Sequence, residues 1–120
     1  MHDPKPSFTS DWLTKQLWQF ERYLTPLAGK PCRLLEIGCY EGRTTGWLLD
    51  NLVKHPDASL LCVDIYEQPL FTANMKTCAN AGQMTLMLGP SRDVLRVVGP
   101  PASFDFIYID GGHGTVDVIE

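Results

Sequence analysis

Features that mark zinc sites are missing from this chain of 120 residues. Its four cysteines have no CxxC spacing and no histidine cluster beside them, which argues against a structural metal. One of them, Cys62, lies inside the apolar run 60–63, where a cysteine usually acts as a small buried hydrophobe.

Clusters of basic residues are also missing. The ten lysines and arginines are scattered, and the formal net charge is -4. Because phosphate neutralisation supplies most of the affinity of nucleic-acid binders, this pattern predicts no nucleic-acid partner and favours a small-molecule substrate.

Long apolar segments are absent as well. The longest apolar runs have four residues, whereas a span across a bilayer needs roughly 20, and the N-terminus lacks the apolar core of a signal peptide. We therefore expect no membrane association, reduced thiols and a cytoplasmic location. Residues 1–8 contain two prolines and no periodicity, so we expect a flexible lead-in followed by one domain over 9–120.

An apolar stripe at helical spacing predicts an amphipathic helix over 9–27, with Ser10 as its N-cap. Trp12, Trp18 and Tyr23 lie off this stripe and either pack against another part of the domain or form a subunit contact. The stripe consists of Leu13, Leu17, Phe20, Leu24 and Leu27.

Strand-like and helix-like segments alternate along the rest of the chain. Apolar runs predict strands over 33–37, 59–64, 84–88 and 104–109. Between them, helices are predicted over 43–54, from Phe71 to a closing Gly82, and from Ser91 as N-cap. This alternation is typical of βαβ units in a doubly wound parallel sheet, which binds ligands at the carboxyl ends of its strands.

Candidate ligand-binding residues fall at those strand ends. Gly38 and Gly42 let the backbone of the first turn pass close to a ligand, and their GxxxG spacing differs from the GxGxxG of dinucleotide sites. Glu36 and Glu41 flank the turn, and Asp64 ends the next strand. Carboxylates would repel a pyrophosphate but attract a cationic nucleoside without phosphates, whose ribose hydroxyls Asp64 is placed to bind.

Two segments carry a resemblance to a known family. Residues 34–45 (LLEIGCYEGRTT) resemble motif I of class I S-adenosylmethionine (SAM)-dependent methyltransferases, and residues 104–113 (FDFIYIDGGH) resemble the fourth strand of their family 24 branch. The resemblance covers about residues 32–120. It implies a Rossmann-like doubly wound α/β fold, truncated here to about four strands in the order 3-2-1-4.

The same resemblance implies a set of SAM-binding residues. Glu36 and the Gly38 turn would hold the methionine end of SAM, and Asp64 would hold the ribose. Ile65 would flank the adenine and Ser91 would lie near its edge. The full predicted set is Glu36, Gly38, Tyr40, Gly42, Asp64, Ile65 and Ser91.

Asp110 and His113 are the predicted catalytic residues. By resemblance, Asp110 faces the reacting methyl group or the substrate, while His113 is a candidate general base or metal ligand. Asp110 could instead shape the glycine turn after it, and His113 could be structural. Some relatives place a divalent metal at the position of Asp110, so a metal remains open.

The predicted cofactor residues also have structural alternatives. Glu36 could pair with a nearby base, Asp64 could cap the following turn, and Ser91 could serve only as a helix N-cap. Tyr40 either packs over the cofactor or only covers the loop.

The sequence thus predicts a SAM-dependent methyltransferase fragment that acts on an oxygen of a small molecule or sugar. The alternatives are an NAD(P)-binding oxidoreductase domain and a non-catalytic module that binds SAM or a partner. An open fourth strand also predicts a homodimer through that edge, or else poor stability of the isolated chain, and we expect the 120-residue chain alone to transfer no methyl group.

Overall fold

Four parallel strands form one sheet. The computed structural model of the protein describes residues 6, 8–9, 13–98 and 103–109. Within them, the sheet order is the third strand, the second, the first and the fourth, as predicted. The strands are β1 (Arg33–Ile37), β2 (Ser59–Asp64), β3 (Met84–Leu88) and β4 (Phe106–Ile109).

β4 begins at Phe106 rather than at Phe104, where the apolar run begins. Asp105 explains the difference. Its N–H donates to the carbonyl of Arg33 at 2.8 Å, but its side-chain carboxylate accepts the N–H of Arg33, also at 2.8 Å. A side chain therefore takes the place of a backbone acceptor, and the regular ladder starts one step later.

β1 and β2 form the buried centre of the sheet. Leu60, Cys62 and Val63 of β2 are each at most 1% exposed, as expected for a strand covered on both faces. Successive residues alternate between two apolar layers, so Leu34 packs in one and Leu35 in the other.

Helices cover both faces of the sheet. Phe20, Leu48 and Phe71 of three different helices share one apolar layer, whereas Val94 of the last helix lies in the other. The helices are α1 (Leu17–Leu24), α2 (Arg43–Asn51), α3 (Pro69–Met75) and α4 (Ser91–Val98), with short 3-10 turns at Thr14–Gln16, Thr25–Leu27 and Ala81–Gln83.

The apolar stripe of the N-terminal helical segment packs inward as predicted. Leu13, Phe20 and Leu24 are buried, and the remaining two stripe residues are partly buried against the same layer. Trp18 and Tyr23 are 59% and 66% exposed within the described residues, so their packing against another part of the domain or against a second subunit stays a prediction. The predicted N-cap Ser10 and the third aromatic, Trp12, lie outside the described residues.

Three predicted helix bounds need correction. α3 ends at Met75 rather than at Gly82, which lies in a separate 3-10 turn. α2 ends at Asn51, short of residue 54, because the chain turns after Leu52. Ser91 is the first residue of α4 and not its N-cap, since the carbonyl of Pro90 accepts the N–H groups of Asp93 and Val94.

Candidate functional site

The turn between β1 and α2 has an unusual backbone. Gly38, Tyr40 and Gly42 all have positive φ angles, of 86°, 48° and 87°. Glycine adopts this conformation freely, but a bulky residue such as Tyr40 rarely does. The turn is anchored to the sheet, because Gly38 N–H donates to the carbonyl of Val63 at 2.8 Å.

Asp64, the last residue of β2, binds this turn. Its Oδ2 accepts the N–H groups of Cys39 and Tyr40 at 3.1 and 3.0 Å, and the thiol of Cys39 lies 3.5 Å from the same oxygen. Oδ1 accepts the N–H of Ile65 at 2.7 Å. The structure therefore brings the acid of β2 and the turn after β1 together at one edge of the sheet, as predicted from their places in the sequence.

Glu36 lies beneath the same turn and is only 1% exposed. Its Oε1 accepts the hydroxyl of Thr45, from the first part of α2, and the thiol of Cys62 lies 3.7 Å away. Cys62 is the partner of Glu36 in the β1–β2 register. Since Cys62 and Asp64 are two residues apart on one strand, they share a face of the sheet, and both acids lie on that face.

A pair of thiols lies between the two acids. The pKa of the Cys62 thiol is raised well above its ordinary value by a hydrogen bond with Cys39, by burial and by the charge of Glu36. Cys62 therefore stays protonated and can donate to the carboxylate. All four cysteines of the chain are free.

Glu41, which the sequence places beside the turn as a third acid, is bonded to the N-terminal segment. It is 5% exposed, and its two carboxylate oxygens accept the N–H and the hydroxyl of Thr9 at 2.8 and 2.7 Å. Its carbonyl accepts the side-chain amide of Asn74 at 2.8 Å. Glu41 is thus the acid of the turn that holds the N-terminal segment.

Exposed apolar side chains surround this edge of the sheet. Ile65 is 73% exposed and Tyr40 is 42% exposed. Tyr40 lies in the turn after β1 and Ile65 directly follows β2. The carboxyl ends of β3 and β4 also carry exposed apolar side chains. Such a concentration of exposed apolar surface beside polar groups is typical of ligand sites. The additional members are Tyr66, Leu88 and Ile109.

Ser91 follows the turn after β3, and that turn is tied to the same edge because Gly89 N–H donates to the carbonyl of Asp64 at 2.8 Å.

The predicted catalytic residues Asp110 and His113 lie outside the described residues. In the part of the chain that the structure describes, no group of three or more histidine, cysteine or acidic side chains could hold a metal ion. No helix in that part is long and apolar enough to cross a membrane.

Three polar residues that the sequence analysis did not select hold the site together. Thr45 and Asn74 are buried on helix faces next to large apolar residues, and a buried polar side chain at such a position is the signal that could have identified them. Thr9 had no such signal, because its partner is 32 positions away.

Comparison with protein families gives a match over most of the chain. The model of a family described as methyltransferase domain, family 24, matches residues 35–120. A comparison with curated proteins gave no match.

Three solved structures resemble the fold. TomG, an O-methyltransferase of tomaymycin synthesis from Streptomyces achromogenes solved with SAM, has a TM-score of 0.58 at 24% identity, over 88% of this chain and 46% of that one. A provisionally assigned O-methyltransferase from Klebsiella pneumoniae has a TM-score of 0.62 at 26% identity, over 88% and 46%. Cofactor-bound Rv0187 from MTB has a TM-score of 0.57 at 25% identity, over 89% and 47%. The chain therefore spans about half the length of these structures.

Proposed function

The chain belongs to the family 24 methyltransferase domains, and on that premise we propose that it binds SAM at the carboxyl edge of its sheet for methyl transfer. The family resemblance seen in residues 34–45 and 104–113 is thereby confirmed. The observation that carries the proposal is the carboxylate of Asp64 beside the turn after β1, where it accepts the N–H groups of Cys39 and Tyr40.

The residues of the site fit a cationic nucleoside. Glu36 and Asp64 place two carboxylates on one face at the ends of β1 and β2, which favours an ammonium or sulfonium group and disfavours a diphosphate. In addition, Asp64 already accepts the turn N–H groups of Cys39 and Tyr40. In a dinucleotide site, backbone N–H groups of this kind are left free to bind phosphate oxygens.

SAM supplies an activated methyl group on its sulfonium, and the protein's work is to bind and orient it. We assign the ribose hydroxyls to Asp64 and the face of the adenine to Ile65, whose side chain is 73% exposed. Ser91 lies at the adenine edge in this assignment, and Tyr40 covers the cofactor.

Glu36 has a different role in this assignment. Because it is buried beneath the turn and bonded to Thr45, it acts on the methionine end of SAM through its charge and through its support of the turn, while the glycines at 38 and 42 let the backbone approach. Asp110 and His113 remain predicted groups on the acceptor side.

Oxygen of a small molecule or sugar is the proposed methyl acceptor. Two of the three similar folds are described as O-methyltransferases, one of them from the synthesis of a small molecule. A homodimer through β4, a cytoplasmic location and the lack of a nucleic-acid partner remain predictions, whereas the sequence makes no prediction about a divalent metal.

Calorimetric titration tests the proposal. We expect S-adenosylhomocysteine (SAH), the product form of the cofactor, to bind at one site per chain, and NAD to give no measurable heat under the same conditions. Binding of NAD without binding of SAH would contradict the proposal and favour the oxidoreductase alternative. Binding of neither ligand would also contradict the proposal, and would favour a non-catalytic module that binds only a partner.

A further inference from the structure

The N-terminal segment is attached to the middle of the cofactor turn. Thr9 donates from its N–H to Oε1 of Glu41 at 2.8 Å and from its hydroxyl to Oε2 at 2.7 Å. Both oxygens of one buried carboxylate are thus bonded by a single residue far away in the sequence. Next to this contact, the guanidinium of Arg43 lies 5.6 Å from the centre of the Phe8 ring, so residues 8 and 9 both contact the start of α2 or the turn before it.

Glu41 is fixed from its backbone as well as from its side chain. The amide of Asn74, a residue of α3 that is 3% exposed, donates to the Glu41 carbonyl at 2.8 Å. A carboxylate that is 5% exposed needs hydrogen-bond donors from the protein in place of the water that it has lost. Thr9 provides two of them, which makes the contact more than a loose surface association.

The residues on either side of Glu41 have positive φ angles, 48° at Tyr40 and 87° at Gly42. A sparsely populated conformation at a residue such as Tyr40 persists only where the surrounding contacts fix it. One such contact is the bond from Tyr40 N–H to Asp64, at 3.0 Å. The other is the anchoring of the next residue, Glu41, by Thr9 and Asn74.

We propose that Thr9 and Glu41 form a strap that positions the cofactor turn, so that Glu41 sets the affinity for SAM without touching it. Release of the carboxylate of Glu41 would let Tyr40 relax, and the N–H of Tyr40 would then leave Asp64, the residue assigned to the ribose. Glu41 is a positioning residue in this scheme. The inference rests on the proposed function, because it concerns the same binding site.

Substitution of Thr9 tests the strap without emptying the buried site. Thr9→Val keeps the shape of the side chain and removes the hydroxyl donor, whereas Thr9→Ser keeps the donor. We expect Thr9→Val to weaken SAH binding about tenfold, as for the loss of a hydrogen bond to a charged group, and Thr9→Ser to stay within about twofold of the wild type. Titrations are made well below the melting temperature of each variant, so that a loss of stability alone does not change the dissociation constant.

Thr25→Val is the matched control. The hydroxyl of Thr25 donates to the backbone carbonyl of Glu21. Thr25 lies before the amino end of β1, away from the turn. This variant should bind SAH like the wild type, even if its melting temperature falls. A double variant completes the test: in a Glu41→Gln background, Thr9→Val should cost less affinity than it does in the wild type, because the two groups act as one unit.

Unchanged SAH affinity in both Thr9→Val and Glu41→Gln would overturn the strap while leaving the proposed function intact. An equal loss of affinity in Thr25→Val would also overturn it, because the loss would then follow from removal of a threonine hydroxyl away from the turn as well. If the wild-type protein itself failed to bind SAH, the proposed function would fail first and the strap with it.

Discussion

Gly42 leaves no room for a side chain at the start of α2. A Cβ at this position would lie 2.7 Å from Cε of Met75 and 3.1 Å from the ring of Phe71, and the φ angle is +87°. We expect Gly42→Ala to lower the free energy of unfolding by about 2–4 kcal/mol, from backbone strain and crowding together. Urea denaturation measures this change.

Two other glycines separate strain from crowding. Gly29 has a φ of +79° but nothing within 4 Å of its Cβ position, so Gly29→Ala should cost only about 1–2 kcal/mol. Gly82 is equally open and has no positive φ, so alanine there should be neutral or stabilise by up to about 1 kcal/mol. Equal losses of stability for Gly42→Ala and Gly29→Ala would show that the side chains of Met75 and Phe71 move aside without lowering the free energy of unfolding.

The sequence identified Glu36 and Asp64 because acids at the ends of apolar runs are easy to see, and parallel strands bring their ends to one edge. It did not show that Glu36 would be covered by Thr45, or that Glu41 would be bonded to Thr9. Those contacts depend on how a helix and a distant segment pack over the turn. Local patterns carry no information about such packing.

Among the elements, α1 packs against the sheet and against α2 through edge-to-face aromatic contacts. The ring of Phe20 lies 5.3 Å from that of Tyr108 and 5.5 Å from that of Trp47, both in edge-to-face geometry. Phe20→Ala should lower the free energy of unfolding by about 3–5 kcal/mol, because it removes a buried ring and leaves a cavity.

Trp18, on the same helix, is the control for this prediction, since it is 59% exposed. Trp18→Ala should change the free energy of unfolding by no more than about 0.5 kcal/mol. A loss for Trp18→Ala that grows with protein concentration would instead indicate that this tryptophan is buried in a contact between copies of the chain. Urea denaturation of both variants at two protein concentrations distinguishes these outcomes.

The strands were predicted more accurately than the ends of the helices. Three of the four strands have the predicted bounds, because continuous apolar runs between turns define them. α3 was predicted to continue to Gly82 because Cys78 extends its apolar spacing, but the chain leaves the helix at Met75. Helix ends depend on the few backbone bonds at their termini, which the apolar pattern does not record.

For the molecule as a whole, buried thiols make stability sensitive to alkaline pH. The pKa of the Cys62 thiol is raised well above its ordinary value of 9.0 by a hydrogen bond with Cys39, then by burial and the charge of Glu36. Burial also raises the pKa values of the Cys32 and Cys78 thiols. In the unfolded chain these groups ionise at ordinary values, so the folded state holds protons that the unfolded state has lost.

Their contribution to stability is therefore complete below about pH 8.5 and declines as the pH rises above it, by up to about 1.4 kcal/mol per pH unit for each thiol. Cys62→Ala should show a shallower decline than the wild type when unfolding is measured under reducing conditions from pH 8 to pH 10. Equal slopes would mean that Cys62 ionises as readily in the folded protein as in the unfolded chain.

The role of Asp64 at the ribose is tested most directly by comparing SAH with an analogue that lacks both ribose hydroxyls. The wild-type protein should prefer SAH by about tenfold or more, since charge-assisted hydrogen bonds are lost with the analogue. Asp64→Asn should lose most of that preference, whereas Asp57→Asn, an exposed acid before β2, should keep it. If Asp64→Asn distinguished the two ligands as well as the wild type does, the ribose would have another partner and the assignment of the site would be wrong.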